Sequence, residues 1–406
     1  MKLRKLTAVF LILLFCTGIA CVDKTKYREI LESVSPDGTK SLQILQNGDP
    51  DFPYGETRCT AVLYNDREEY SRTEITMLND GKNAEPENFE IAWQTERAVL
   101  TVHAEEAEDQ IINLYFGEAE RFTFNPHVIP KEYIQLYGEG TKSAFFALCD
   151  AVLAAEDTFP CPNEEIMHRV LGIARTCFPP AAYFTDTEHC YVSDGTAHIA
   201  YTVDRSGLVS ETGRFCAKVT DTLNAAIPQK TEPYLMAMEL LTFLARKNTY
   251  AEDTTLDDFL IISPYRAIME DTGICQELAG EYTYYLLQAG IDAFPCSALN
   301  SDHSQAHEWT VAELDGSYYH FDPTLTLDHP DSLFFFGMND LQRSYYGDFP
   351  EENYTFADSD TFRITADSDR FLPLWLAESY TIDQDTGRIT YQEIYSGLTK
   401  EYHEGD

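Results

Sequence analysis

With 406 residues, 44% hydrophobic and 13% aromatic, the chain has material for two or three domains and does not have a disordered composition. Its 68 acidic and 29 basic residues give a net charge of −39, which argues against nucleic-acid binding because a phosphate backbone selects Lys and Arg. The charge names no partner of its own. Excess acid keeps a surface protein soluble and free of nonspecific contacts.

Met1-Lys2-Leu3-Arg4-Lys5 is a basic start, and Leu6 to Phe15 is an apolar run too short to span a bilayer comfortably. Gly18-Ile19-Ala20 then places small residues before Cys21. The segment resembles a lipoprotein signal, although Gly18 stands where Leu is common, and it implies lipid attachment at Cys21. The protein is therefore expected to be exported and tethered to the outer face of the cytoplasmic membrane. Loss of residues 1–20 removes Lys2, Arg4 and Lys5 and no acid, taking the charge of −39 to −42. Of ten cysteines, Cys16 leaves with the signal and Cys21 carries lipid. The remaining eight show neither a CxxC pair nor a small-scaffold framework.

Residues 21–120 read as a small all-β domain, a sandwich or meander. Its strand-like runs are Ser41–Gln46, Arg58–Tyr64, Ser71–Leu78, Phe89–Trp93, Ala98–His103 and Ile111–Phe116. Turn signals separate them, among them Ser35-Pro36-Asp37-Gly38 and Asn79-Asp80-Gly81. Residues 121–230 form a helical and hairpin lead-in, with helices near Thr141–Ala155 and Asn163–Thr176, a hairpin over Tyr191–Val203 and a helix over Glu211–Ala226. A further amphipathic helix over Thr231–Lys247 opens a core of residues 231–336. Residues 337–406, aromatic and acidic, form an extension packed on that core.

The chemistry concentrates between Tyr265 and Thr324. Cys275-Gln276-Glu277 starts a helix that ends at Gly290, a natural left-handed cap. Cys275 thus lies in a first turn, where free N–H groups and the helix dipole favour a thiolate. A lone cysteine is more often a small buried hydrophobe, so its partners along the chain decide the weighting. Ala306-His307-Glu308-Trp309 opens a strand, Asp315-Gly316 is a tight-turn signal, and Ser317 to Pro323 returns. With a two-residue turn, Trp309 faces Asp322, and residues 307, 309, 320, 322 and 324 share one face of the ribbon. His307 and Asp322 become diagonal neighbours, and the helix need only lay its start on that face to bring sulfur to imidazole. Cysteine, imidazole and carboxylate in this arrangement are the parts of an acyl-transfer site.

Gly-Ile-Cys-Gln, then a helix, then His-Glu-Trp, then Asp-Gly-Ser-Tyr-Tyr-His-Phe-Asp-Pro-Thr resembles the transglutaminase-like superfamily over about residues 230–330. The resemblance implies an α+β fold related to papain-like enzymes, a Cys-bearing helix packed on an antiparallel sheet, preceded here by the all-β domain. It also implies a Cys275–His307–Asp322 triad working through a thioester on peptide or isopeptide amides, by hydrolysis or by crosslinking. The partners so implied are protein, peptide or peptidoglycan stem-peptide substrates. No cofactor and no metal are expected, because His307 is spoken for and no ligand set completes a shell around Asp302 and His303. Glu308 stands where bacterial relatives often have Ala, and its carboxylate is expected on the opposite face. Candidate substrate-binding residues are Trp309, Gln276 and Tyr265, each with an ordinary alternative: core packing for Trp309 and Tyr265, a helix-surface amide for Gln276. His320 reads as a packed histidine. Two other readings of the chain stay open, a catalytically silent scaffold that binds peptide or wall polymer, and a resting disulfide at Cys275.

Overall fold

The computed structural model describes residues 27–50, 56–65, 67–79, 81–93, 97–104, 110–115, 121–227, 229–251, 263–359, 361–383 and 386–403. The leader and Cys21 lie outside the described residues. Among the described residues no helix is long and apolar enough to cross a membrane. The chain divides into two compact units, residues 1–119 and 120–406.

In the first unit β1 (Tyr27–Val34), β2 (Lys40–Asn47), β3 (Glu56–Asn65) and β4 (Glu68–Leu78) form an antiparallel meander; β5 (Phe89–Trp93), β6 (Arg97–Val102) and β7 (Gln110–Tyr115) form a second. Period-two alternation aims Leu42 and Ile44, Ala61 and Leu63, Ile75 and Met77, and Ala98, Leu100 and Val102 into one shared core. Strand β1 lies outside the expected runs. Its apolar residues Tyr27, Ile30, Leu31 and Val34 are spaced as on a helix, and a bulge between Glu29 and Leu31 breaks the alternation. Pairing with β2 overrides that local pattern, and Ser35-Pro36-Asp37-Gly38 is the hairpin turn between them, closed by a Gly38 N–H to Ser35 O bond of 2.9 Å.

The second unit has one continuous core running from Phe122 to Tyr391. The lead-in, the Cys275 region and the last seventy or so residues are thus layers of a single body. Helix Lys131–Ala154 is kinked at Gly138 (φ 81°), and its second part begins where the apolar periodicity does. The Asn163 side chain caps helix Glu164–Cys177 by accepting from the Ile166 N–H at 2.9 Å. After a short helix Pro179–Phe184, helix Arg205–Ala226 starts six residues earlier than its periodicity suggests, because Asp204 accepts from the Gly207 N–H at 2.7 Å. Strands β8 (Thr158–Pro160), β9 (Tyr191–Ser193) and β10 (Thr196–His198) form a small sheet, so the expected hairpin is shorter than 191–203.

Helix Pro233–Lys247 leads into β11 (Thr249–Tyr250), which pairs in parallel with β12 (Thr272–Gly273) just ahead of the Cys275 helix. That helix spans Cys275–Gln288 and lies across β13 (Ala293–Leu299) and β14 (Ala306–Leu314). With β15 (Ser317–Phe321) and β16 (Thr355–Phe356) these strands form an antiparallel sheet of order β15-β14-β13-β16. The fold is α+β. Thr310 bolts helix to sheet, its hydroxyl reaching Ala279 O and the Thr283 hydroxyl at 3.0 Å each. The extension closes with a meander of β17 (Ala377–Asp383), β18 (Arg388–Glu393) and β19 (Thr399–Tyr402), anchored by Leu333 N–H to Ala377 O at 2.9 Å and by Thr242 to Tyr380 at 2.7 Å.

Candidate active site

The start of the Cys275 helix is held from three sides. The Glu277 carboxylate accepts from the Ile274 N–H at 3.0 Å and is gripped by the Arg266 guanidinium, whose Nε donates at 2.9 Å. Gly273 lets the incoming strand pass close over this turn; a Cβ there would come within 2.9 Å of the Glu277 Cβ. The far end stops at Gly290 (φ 84°), where Gly290 N–H to Leu287 O (3.1 Å) and Ile291 N–H to Leu286 O (2.9 Å) close the last turn. Cys275 is half-buried in the first turn of a fixed helix.

The β14–β15 hairpin turns at Asp315-Gly316, both with positive φ, and its register pairs Thr310 with Phe321 and Val311 with His320. The ladder ends there, because Asp322 becomes the N-cap of a short helix and Pro323 has no N–H. The two-residue turn sets the parity, and His307 and Asp322 meet: His307 Nε2 donates to Asp322 Oδ2 at 2.7 Å. Cys275 lies close enough to the same imidazole to help raise it. His307 thus has the carboxylate bonded on one side and the sulfur near it.

Asp322 is fully buried, its other oxygen accepting from the Leu325 N–H at 3.1 Å. Burial alone would raise its carboxyl, but His307, Arg343 and that N–H hold it below the ordinary value. Burial would likewise lower the His307 imidazole; the Asp322 charge and hydrogen bond, with Cys275 on the other side, outweigh it and raise the ring to about 9. His307 is therefore an imidazolium through neutral pH.

A second histidine beside it is poised the other way. The Trp309 Nε1–H donates to His320 Nδ1 at 2.9 Å, and His320 Nε2 donates to Asp340 Oδ1 at 2.9 Å. With Nδ1 committed as an acceptor and the ring fully buried, His320 is neutral, and burial is the leading reason its pKa falls. His320 is a packed support for Trp309.

The candidate substrate-binding residues separate. Trp309 is fully buried, its ring stacked at 5.9 Å on His307 and its N–H spent on His320, so it buttresses the triad from inside and offers no surface to a ligand. Tyr265 is 7% exposed, its ring packed on Tyr183 and Phe215 and its hydroxyl donating to Glu211 Oε2 at 3.1 Å. Core packing claims both: Trp309 is enclosed by His307, His320, Tyr354 and Arg343, and Tyr265 by Tyr183, Phe184 and Phe215. Gln276 is half-buried next to Cys275 and stays at the rim. Glu308 lies on the face of β14 shared with Thr310, toward the Cys275 helix, where burial and then Asp358 push its carboxyl well up. A shallow pocket of about 190 Å³ opens beside the ends of β13 and β14, lined by Ser297, Ala298, His303, Ala306, Asn353 and Thr355, and none of Cys275, His307 and Asp322 lines it.

Two residues near the triad carry no signal in the sequence. Tyr250 arrives on β11, where Thr249 N–H to Asp271 O and Ala251 N–H to Gly273 O (3.0 Å each) lock it beside the turn into the Cys275 helix. Its hydroxyl contacts both the backbone N–H and the sulfur of Cys275, while about half of the residue stays exposed. Burial and the charge of Cys275 raise the phenol, so it keeps its proton. Arg343 arrives from the extension, fully buried, with Nη2 3.7 Å from Asp322 Oδ2. No local pattern marks either residue, since each reaches the site only through packing.

All eight cysteines among the described residues are free thiols. Burial raises Cys59, Cys149, Cys161, Cys177, Cys190, Cys216 and Cys296, with Cys59 and Cys216 each at about 11.

No protein-family model and no curated protein matches this chain. Two solved structures show distant similarity. One, from Cytophaga hutchinsonii, carries the name of a cysteine protease (TM-score 0.23, 14% identity, 32% of this chain and 50% of that one); the other is a TGase (TM-score 0.24, 10% identity, 32% and 40%). The chain thus spans half or less of the length of either structure, and likeness this faint says nothing of its chemistry.

Proposed function

We propose that the second unit is a transglutaminase-like cysteine enzyme that transfers the acyl group of peptide or isopeptide amides through a thioester on Cys275. The observation that carries this reading is the 2.7 Å bond from His307 to buried Asp322, with the Cys275 sulfur near that imidazole at the start of a fixed helix. His307 holds the thiol proton as the sulfur attacks the carbonyl carbon, and Asp322 stabilises the imidazolium. Collapse of the tetrahedral intermediate breaks the C–N bond, and His307 gives its proton to the leaving amine. Water or a second amine then releases the acyl group and restores the thiol. The developing oxyanion is held by the protonated Tyr250 hydroxyl and by the Cys275 N–H, which exchanges its contact with that hydroxyl for the oxyanion as charge develops. Trp309 cannot supply this bond, because its N–H is spent on His320.

The substrates in this reading are protein, peptide or peptidoglycan stem peptides met outside the cell by a protein lipid-anchored through Cys21. The test is mass spectrometry of acid-quenched protein after exposure to wall peptides and to protein mixtures. A mass gain on Cys275 in the wild type that Cys275→Ala lacks supports the reading. Binding with no acyl adduct under reducing conditions would point to the silent scaffold.

Tyr250→Phe is expected to lower kcat by about 10- to 100-fold with KM nearly constant, because the lost bond forms only as charge develops on oxygen. An unchanged kcat would remove Tyr250 from the oxyanion site.

A further inference from the structure

The acyl-transfer steps make no use of Arg343, yet it is one of the largest fully buried side chains. It ends the short helix Asp340–Arg343, whose start is capped by Asn339 accepting from the Gln342 N–H at 2.8 Å. Its guanidinium carbon lies over Trp309, 3.9 Å from the ring centroid, with Phe349 at 5.9 Å. Nη1 donates to Tyr346 O at 2.6 Å. Nε and Nη2 are buried with no hydrogen-bond partner among the described residues, and Nη2 stands 3.7 Å from Asp322 Oδ2, too far for a bond and close enough for a strong charge interaction. An arginine kept for structure alone satisfies its fork. This one leaves two donors unspent and places its charge against the triad carboxylate. Asp340 does not answer it, being paired with His320.

We propose that Arg343 is a positioning residue that sets the charge balance of the triad, compensating Asp322 and so fixing the pH window in which the His307 imidazolium and the Cys275 sulfur act together. The inference rests on the reading of Cys275, His307 and Asp322 as one unit. The charged and titratable groups around this point are few. Asp322 faces His307, His320, Arg343 and the Leu325 N–H; Arg343 faces Asp322, His320, Tyr354 and the Cys296 thiol. His307 faces Cys275, with Glu308 next to it, and Glu308 in turn feels Asp358 and Arg175. Arg343 is the guanidinium that acts on the Asp322 carboxylate. A positive charge beside a carboxylate–imidazolium pair lowers the proton affinity of both partners. Removing it must raise both.

The experiment measures the rate at which a neutral haloacetamide alkylates Cys275 across the pH range, in the full chain, with the site read by mass spectrometry. Arg343→Gln is expected to move both the acid and the alkaline limb of that profile upward by about one pH unit. Arg343→Lys keeps the charge while losing the guanidinium over Trp309, and its limbs are expected to stay near those of the wild type. A folded Arg343→Gln protein with wild-type limbs overturns the proposal. Should Arg343→Gln fail to fold, Arg343→Lys decides alone: limbs displaced by a full unit despite the retained charge overturn it, and limbs held in place support it. A wild-type profile that His307→Ala leaves unaltered overturns the triad reading and this proposal together; unchanged Arg343→Gln limbs beside a His307-dependent wild type overturn this proposal only.

Discussion

A haloacetamide at pH 7 is expected to label Cys275 and leave the other seven described thiols almost untouched, and Cys275→Ala is expected to abolish both that labelling and any acyl-transfer turnover. The thiols that should not react set the baseline. Cys59 and Cys216 are raised by burial to about 11, so at pH 7 roughly one molecule in ten thousand carries the thiolate there. Cys149, Cys177 and Cys296 are buried as well as raised. Cys190 and Cys216 are as exposed as Cys275, but Cys275 alone among the described thiols opens a helix and has beside it a histidine, His307, that stays protonated to about pH 9. Removing the nucleophile of a cooperating triad costs roughly 10⁴- to 10⁶-fold in turnover. The fold should tolerate the change, because the helix start is held by Glu277 and Arg266. Equal labelling of wild type and variant, counted per site by mass spectrometry, would exclude Cys275 as the reactive thiol.

Asp322→Asn is expected to damage activity and stability together. An amide cannot balance the His307 imidazolium and leaves the ring free to take the wrong tautomer, which costs roughly 10⁴-fold in kcat. It also leaves Arg343 as a buried cation without its counter-charge, at a cost of about 3 kcal/mol in stability. The pH dependence carries the signature. His307 is raised in the folded protein, so its contribution is complete below the ordinary imidazole value of 6.5 and is lost as pH rises through about 9. Asp322 is lowered, so its contribution is complete above the ordinary value of 3.8 and is lost as pH falls through the folded value. The gap in melting temperature between wild type and Asp322→Asn should therefore be widest from about pH 4 to 6.5 and narrow toward pH 9. A gap that stays constant over that range would mean that the pair is not charged in the folded protein.

The sequence shows local features well where a single element decides them. Strand β5 runs Phe89–Trp93 as its alternation and flanking turns indicate, and Asn163 caps its helix as an Asn before Glu164-Glu165 should. The Asp315-Gly316 turn sets the register of β14 against β15 without help from the rest of the chain. Local pattern fails where a neighbour overrules it. Strand β1 looks helical by spacing and becomes a strand because β2 offers it an edge, and helix Arg205–Ala226 extends past its periodicity because Asp204 can cap it.

The same division runs through the candidate site. The order and spacing of Cys275, His307 and Asp322, and the shared face of the hairpin, are written in short-range signals: a helix start, a two-residue turn, alternation along a strand. Residues that arrive from elsewhere are a matter of tertiary packing. Tyr250 reaches the Cys275 N–H through a parallel pairing of two-residue strands, and Arg343 reaches Asp322 from the extension beyond the hairpin. Trp309 and Tyr265 have the composition of a cleft and the position of a core, and only the burial of their faces separates the two. The physical reason is the same throughout. Backbone periodicity and turn chemistry act over a few residues, whereas burial and the energy of a charge depend on every segment that packs around it.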